Sequence, residues 1–298
     1  MISFIGMSTR SSGIIRGKQI SSYTSGNFFD YSAVNILDLK KIVIFIRKKP
    51  PADFVKFLKS RGHVVGYDIL DLPAADFTFR GSQYVDMSPY LDDDNLDFYI
   101  VNNDFMKNQA RNISSKLVYV IPHHTVNFAR ERFSNGDSFS RVGYVGLPEQ
   151  SGPFDRIDKF CHSAGCTFSV YDPKTREECI EAFKNIDIGI VYIDPADPRK
   201  EYIFNFKPNT KLNNFQSFGI PTICSSYISF KQFGNNACLF SDSDKSLESS
   251  FVSLVSDTSL RNKISNDSYD NSQEFFVEKI AKEKYGEIVR DFTKKVKK

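Results

Sequence analysis

The stretch KPNTKLNNFQSFGIPTIC, residues 207–224, predicts a loop, a helix, a turn and a short strand in that order. Pro208 and Asn209 suit the start of a helix, and Gly219 followed by Pro221 ends it before an apolar strand. Apolar residues recur at helical spacing, so that they share one face. These residues are Leu212, Phe215 and Phe218. The stretch therefore predicts one αβ unit of a layered α/β fold.

Two lysines, Lys207 and Lys211, flank the predicted helix start, together with Asn209 and Thr210. Backbone N–H groups and the positive end of the helix dipole attract an anion at such a position. Two ammonium groups add to that attraction, so the stretch predicts a phosphate site. The alternative is a pair of solvated lysines in an ordinary αβ unit.

Length and composition fit two medium domains. The chain has 298 residues, of which 41% are hydrophobic and 25% charged, and its formal net charge is only +3. So small a charge gives no reason to expect a nucleic acid partner. Basic residues do collect at Arg47-Lys48-Lys49 and in the tail Lys294–Lys298. The tail is either solvated or in peripheral contact with an anionic membrane surface.

The cysteines and the N-terminus indicate the compartment. Five cysteines form no C-x-x-C pair, which argues against a disulfide framework and against a zinc site. The N-terminal residues lack the basic region and long apolar core of a signal peptide, and no apolar run reaches membrane-span length. We expect a cytoplasmic protein, with any membrane contact peripheral and at the inner face.

Strands and helices alternate along the chain, which predicts parallel sheets in an α/β fold. The expected domains are residues 1–136, residues 137–275 and a C-terminal helix over 276–298 that crosses back to the first domain. A strand, a small-residue loop and a helix over residues 2–23 open one nucleotide-type unit, and a second begins at Arg141. It lacks the G-x-G-x-x-G spacing, because Gly143 and Gly146 are followed by no third glycine at the required distance, so a nicotinamide enzyme is not expected.

Several candidate residues follow predicted strands, at the edge where open α/β sheets bind ligands. His123 and His124 follow one such strand, and Asp194 follows another. The acidic run 92–94 is read as a solvated turn, because no apolar strand leads directly into it. No metal site is therefore predicted.

The pattern K-P-x-x-K-L-x-N-x-x-x-x-G-I-P-T-I, with Cys238-Leu239-Phe240 a turn later, resembles the donor half of GT-B glycosyltransferases. The resemblance covers Val142 to about Asp291, and a weaker resemblance is present at the N-terminus. It implies two Rossmann-like domains whose parallel sheets face a cleft. The first domain would hold a glycan or lipid-linked acceptor, and the second a nucleotide-sugar donor as co-substrate, without metal or further cofactor. Such enzymes serve polysaccharide biosynthesis.

The resemblance also implies residue roles. The donor contacts would be Lys207, Asn209, Thr210, Lys211, Gly146, Asp194, Arg10, Ser12, Gly13 and Arg16. An inverting reaction needs a base, for which His123, His124 and Asp104 are the candidates, whereas a retaining one would use a carboxylate or the leaving phosphate. The glutamate pair of many retaining members is missing. The alternatives are a non-catalytic nucleotide- or glycan-binding protein of the same fold and a sugar-nucleotide epimerase.

Overall fold

A computed structural model describes most of the chain. The described residues are 1–6, 13–70, 87–91, 95–133, 139–147, 153–197 and 200–294, the side chains of Glu201 and Lys294 excepted. Two compact units are present. The first contains residues 1–124, 205–208 and 277–298, and the second contains residues 125–204 and 209–276. The sequence predicted a boundary at residue 136 instead.

The first unit is built on a six-stranded parallel sheet. Its strands are β1 (Ile2–Gly6), β2 (Asn27–Asp30), β3 (Ile42–Ile46), β4 (Val64–Asp68), β5 (Phe98–Val101) and β6 (Leu117–Val120). Their spatial order is β2-β1-β3-β4-β5-β6. The central strands β1 and β3 are buried along their whole length, as expected when helices cover both faces of a parallel sheet.

The helices of the first unit connect and cover these strands. They are α1 (Ile20–Tyr23), α2 (Ala52–Ser60), α3 (Ser88–Leu91), α4 (Asp104–Ile113), α12 (Val277–Lys279) and α13 (Gly286–Lys294). Two π-helical segments, Ile14–Gln19 and Ile280–Tyr285, precede α1 and α13. Helix α13 packs on the sheet through Phe292, whose ring centroid lies 5.2 Å from that of Phe98.

The second unit is built on a five-stranded parallel sheet. Its strands are β7 (Arg141–Val145), β8 (Thr167–Tyr171), β9 (Ile188–Val191), β10 (Thr222–Cys224) and β11 (Leu239–Phe240). Their order is β11-β10-β9-β7-β8. The core contains Val142, Ile190 and Ile223 from the central strands, against Leu247 and Phe251 from a covering helix.

Helices of the second unit alternate with its strands. They are α5 (Phe154–Ser163), α6 (Arg176–Lys184), α8 (Thr210–Ser217), α9 (Ile228–Gly234), α10 (Asp244–Ser256) and α11 (Thr258–Ser272). Helix α7 (Lys200–Phe206) ends in the segment 205–208 that belongs to the first unit. The five cysteines are free thiols, and the sulfurs of Cys224 and Cys238 lie 3.6 Å apart.

The structure corrects the sequence-based elements in three places. Strand β2 was not predicted, and neither was helix α7. The long C-terminal helix expected over 276–298 is interrupted, because a π-helical segment at Ile280–Tyr285 separates α12 from α13. The predicted acidic turn at 92–94 lies outside the described residues.

Candidate functional site

Helix α8 is anchored by the apolar face that the sequence predicted. Leu212, Phe215 and Phe218 have no exposed surface, and the Phe215 ring lies 5.0 Å from that of Phe183. Asn209 is buried just before the helix, and its carbonyl accepts the N–H of Asn213 at 3.0 Å. These contacts fix the direction of the helix axis. They leave Thr210 and Lys211 half-buried in the first turn, where the helix dipole is positive.

Gly146 and Lys211 come together at the carboxyl end of strand β7. Gly146 has φ +144°, and a Cβ added there would lie 3.0 Å from Lys211 Cε and 2.9 Å from Tyr144 Oη. Lys211 Nζ lies 4.8 Å from the centroid of the Tyr144 ring, within cation–π range. The backbone after β7 therefore approaches the side chain of a lysine at a helix N-terminus. Such an arrangement can bind an anion.

Asp194, after strand β9, is bound to neighbouring side chains and backbone. Its carboxylate accepts the Arg156 guanidinium and, at 2.9 Å, the N–H of Ala196. Arg156 also pairs with Asp244, which accepts a 2.9 Å hydrogen bond from Tyr192 Oη. Arg156 lies in the first turn of α5, so these pairs join three loops at the carboxyl edge of the sheet. A donor contact by Asp194 would have to compete with Arg156.

Lys207 precedes helix α8, as predicted, and belongs to the segment 205–208 of the first unit. Two asparagines after strand β5 hold this segment in the first unit. Asn102 Nδ2 donates to Phe206 O at 2.8 Å, and Asn103 Nδ2 donates to Asn205 O at 2.9 Å. The structure therefore places the two predicted phosphate ligands in different units, with Lys211 alone in the first turn of α8.

Arg16, a donor contact in the expectation from sequence, is buried and leaves almost no surface open to a ligand. Its Nε donates to Asp68 Oδ2 at 2.8 Å, and its Nη1 donates to the carbonyls of Ile121 and Pro122 at 2.8 and 3.0 Å. Only 1% of its surface is exposed. A guanidinium committed to these acceptors holds three parts of the first unit together. Sequence reasoning missed Asp68, although it ends strand β4 at the same edge as the candidates.

His123 and His124 are each 3% exposed. Burial, and then the nearby Arg16 charge, lower the pKa of His124 to about 3. The same causes, with His124 itself, lower the pKa of His123 well below its usual value. His124 Nε2 donates to Gln19 Oε1 at 2.8 Å, as a neutral imidazole can. A base must reach the acceptor hydroxyl, so burial counts against either imidazole in this conformation.

The remaining candidates differ in exposure. Asp104 is exposed at the start of α4, after strand β5. Gly13 is buried at the start of the first π-helical segment. Arg10 and Ser12 lie outside the described residues. Asp104 is therefore the one predicted base that the structure leaves open to solvent.

Solved structures of similar fold identify the architecture. A glycosyltransferase from Rickettsia africae ESF-5 has a TM-score of 0.66 at 10% identity, over 98% of each chain. Anabaena Alr3699/HepE in complex with UDP-glucose has a TM-score of 0.64 at 10% identity, over 97% of this chain and 99% of that one. The chain has the GT-B fold. The predicted pair of Rossmann-like domains with parallel sheets is confirmed.

The GT-B fold also occurs in UDP-GlcNAc 2-epimerase from Neisseria meningitidis bound to UDP-GlcNAc. That structure has a TM-score of 0.57 at 10% identity, over 99% of this chain and all of the other. No protein-family model matches the chain, and no curated protein matches it by sequence. The likeness is therefore one of fold, and residue roles have to be argued from this chain's own contacts.

Two further observations concern metals and membranes. Within the described ranges, no group of three or more His, Cys, Asp or Glu side chains is placed to hold a metal ion. No helix in the same part of the chain has the length and apolar character that a membrane span requires.

Proposed function

We propose that this GT-B chain is a glycosyltransferase that moves a sugar from a nucleotide-sugar donor to a glycan or lipid-linked acceptor. The second unit would hold the donor and the first the acceptor. The observation that carries the proposal is the contact between Gly146 and Lys211 at the carboxyl edge of the second sheet. It combines a close backbone approach, a cation and a helix N-terminus, which together suit a diphosphate.

The donor nucleotide is proposed to be a uridine diphosphate. This choice is supported by the solved structures of the same fold, one of which holds UDP-glucose and another UDP-GlcNAc. When the glycosidic bond to the diphosphate breaks, negative charge grows on the leaving phosphate. The Lys211 ammonium and the first turn of α8 would stabilise that charge where it forms, so the reaction would need no divalent cation.

A base is required if the reaction inverts the anomeric centre, because the acceptor hydroxyl must lose its proton. Asp104 suits this role best among the predicted candidates, because it is exposed at the carboxyl edge of the first sheet. His123 and His124 are buried and neutral, which suits a structural role. In a retaining reaction the leaving phosphate itself would take the proton.

The second candidate function is sugar-nucleotide epimerisation. It is supported by the epimerase of the same fold, whose structure matches 99% of this chain. An epimerase changes the sugar without any acceptor, whereas a transferase releases nucleotide in proportion to glycoside formed. A non-catalytic binding protein would bind the nucleotide sugar and change nothing.

The test is a thermal-shift screen of UDP, GDP, ADP and CMP, followed by product analysis with the matching nucleotide sugars. A ligand that binds only the native state raises the melting temperature, by mass action. We expect UDP to raise it, and UDP-sugar to yield UDP and a glycoside when glycan and lipid-extract acceptors are supplied. Isomerised UDP-sugar without acceptor would favour the epimerase. Binding without any product would favour the binding protein.

We further propose a cytoplasmic location, with the basic C-terminal tail in peripheral contact with an anionic membrane surface. Co-sedimentation with vesicles that contain phosphatidylserine, compared with neutral phosphatidylcholine vesicles, tests the contact. Removal of residues 295–298 should reduce it, because each basic residue near an anionic surface contributes about 1 kcal/mol.

A further inference from the structure

Arg16 joins three parts of the first unit at one point. It lies on the π-helical segment that follows β1, and it donates to Asp68 at the end of β4 and to the Ile121 and Pro122 carbonyls after β6. Strands β1, β4 and β6 are not neighbours in the sheet. One side chain therefore sets the distance between separate strand ends along the edge where an α/β sheet binds its ligands.

A buried ion pair is a poor device for stability alone. Removing two charges from water costs several kcal/mol per ion, and well-packed apolar residues often replace such a pair without loss. Apolar residues cannot donate to carbonyls, however. The property that only a guanidinium supplies here is the forked set of donors that reaches Asp68 and two backbone carbonyls at once.

The segment that receives these bonds continues directly into His123 and His124. The π-helical segment Ile14–Gln19 also contacts His124 directly, since Gln19 Oε1 accepts a hydrogen bond from His124 Nε2 at 2.8 Å. Gly17 lets the segment lie close to the sheet, because a Cβ at this position would be 2.5 Å from the Phe28 ring and 2.8 Å from Ile46 Cδ1.

The C-terminal segment closes the same cluster. Tyr285, on the second π-helical segment, is buried, and its ring packs edge-on against Phe4 of strand β1 at 5.4 Å. Burial raises the pKa of Tyr285. The nearby Arg16 charge lowers this pKa and the Asp68 charge raises it. π-Helical turns occur often at functional sites, and both such segments contribute a side chain to this cluster.

We propose that Arg16, held by Asp68, is a positioning residue for the acceptor side of the reaction. It fixes the buried segment 121–124, which underlies the carboxyl edge of the first sheet, the edge where an α/β sheet binds its ligands and where the proposed acceptor would rest. The inference rests on the proposed function, because only a transferase has an acceptor. The positioning itself is a property of the first unit and is testable without any substrate.

The test replaces the pair with apolar residues of similar size, as Arg16→Met with Asp68→Leu in the full chain. The readout is deuterium exchange at the imidazole C2 position, followed by mass spectrometry, which reports the access and basicity of each histidine. His63 and His162 serve as internal references, because they lie outside the cluster. We expect the double variant to remain folded with a lower melting temperature, because two carbonyls lose their donor, while His123 and His124 exchange at least tenfold faster.

A matched control removes a buried arginine of the second unit. Arg261 is 3% exposed and donates from Nη1 to the carbonyls of Leu254 and Val255, each at 2.8 Å. Arg261→Met should therefore lower the melting temperature without changing exchange at His123 or His124. With an acceptor in hand, the Arg16/Asp68 variant should raise the acceptor KM tenfold and leave UDP affinity unchanged.

Unchanged exchange at both histidines in the folded double variant would overturn the proposal. If that variant does not fold, Arg16→Lys, which keeps the charge but loses the fork, is judged by the same criterion. Failure of both variants to fold would show that the pair serves folding, and this also overturns the positioning role. Absence of UDP binding by the wild type would count against the proposed function alone.

Discussion

Gly146 lies against the side chain of Lys211, so closely that a Cβ at position 146 would stand 3.0 Å from Lys211 Cε. The two residues are 65 positions apart in the chain, one after strand β7 and the other in the first turn of helix α8. Their contact defines the proposed phosphate site more narrowly than either residue does alone.

Gly146→Ala should weaken nucleotide binding and destabilise the protein. The added methyl group would meet Tyr144 Oη at 2.9 Å as well as Lys211, and the φ of +144° is one that L residues rarely adopt. We expect a loss of about 2 kcal/mol in the free energy of unfolding, measured by urea titration, and a lower UDP affinity.

Gly165→Ala is the matched control for that variant. Gly165 also has a positive φ, +73°, but no atom lies within 4 Å of its added Cβ. It should cost about 1 kcal/mol and leave UDP affinity unchanged. Equal effects of the two substitutions on UDP affinity would show that Gly146 is not part of the phosphate site.

The buried histidines should make the protein sensitive to acid. The pKa of His124 is lowered in the folded state to about 3 from 6.5, so the unfolded state binds more protons between these values. Above pH 6.5 the titration of His124 does not reduce the free energy of unfolding. As the pH falls from 6.5 toward 3, it reduces that free energy progressively. The loss should be about 2 kcal/mol between pH 6.5 and pH 5, because each pH unit corresponds to about 1.4 kcal/mol.

His124→Gln should remove that loss, since the amide donates to Gln19 without titrating. His162→Gln, at an exposed position of helix α5, should leave the acid dependence as in the wild type. Urea titrations at pH 5.0, 5.5, 6.0 and 6.5 measure both. An acid slope in His124→Gln as steep as the wild type's would contradict the assignment.

Asn103 should have two separable roles. Its Oδ1 caps helix α4 by accepting the Met106 N–H at 2.9 Å, while its Nδ2 holds Asn205. Asn103→Asp keeps the cap and loses the donor, so it should cost about 1 kcal/mol, whereas Asn103→Ala loses both and should cost about 2 kcal/mol. Amide exchange over residues 203–208 should accelerate in both variants. Protection there equal to the wild type's would show that another contact holds the segment.

Much of the fold could be predicted from the sequence because its signals are local. Apolar runs such as Ile42–Ile46 indicate strands without reference to distant residues. Residues that end a helix, such as Gly219 and Pro221, indicate turns in the same way. Strand β2 was missed because Asn27–Asp30 is short and only half-buried, so that its pairing with β1 decides its structure.

The site was predictable only in part, for a physical reason. Lys211 carries a local signal, since its place in a helix start follows from sequence spacing. Burial of Arg16 depends on Asp68, which is 52 residues away, and no spacing rule reports that contact. The assignment of Lys207 to the first unit likewise depends on Asn102 and Asn103, about a hundred residues earlier in the chain.

Metal independence is a further prediction of the proposed chemistry. Since the leaving phosphate would be stabilised by Lys211 and a helix N-terminus, release of UDP from UDP-sugar should be the same with and without a chelator. The measurement is coupled UDP release in EDTA, with added magnesium or manganese as the comparison. Activity abolished by EDTA and restored by either metal would refute this part of the mechanism.

Calorimetric titration of UDP into Lys211→Ala and Lys184→Ala measures the part that Lys211 plays in donor binding. Lys184 lies in the last turn of α6 and is the control for loss of a half-exposed lysine. We predict that both variants melt within about 2 °C of the wild type. UDP should bind Lys211→Ala about tenfold or more weakly, because a charge-assisted hydrogen bond is worth about 1.5–3 kcal/mol, and should bind Lys184→Ala as it binds the wild type. Undiminished UDP affinity in Lys211→Ala would contradict the proposed phosphate site.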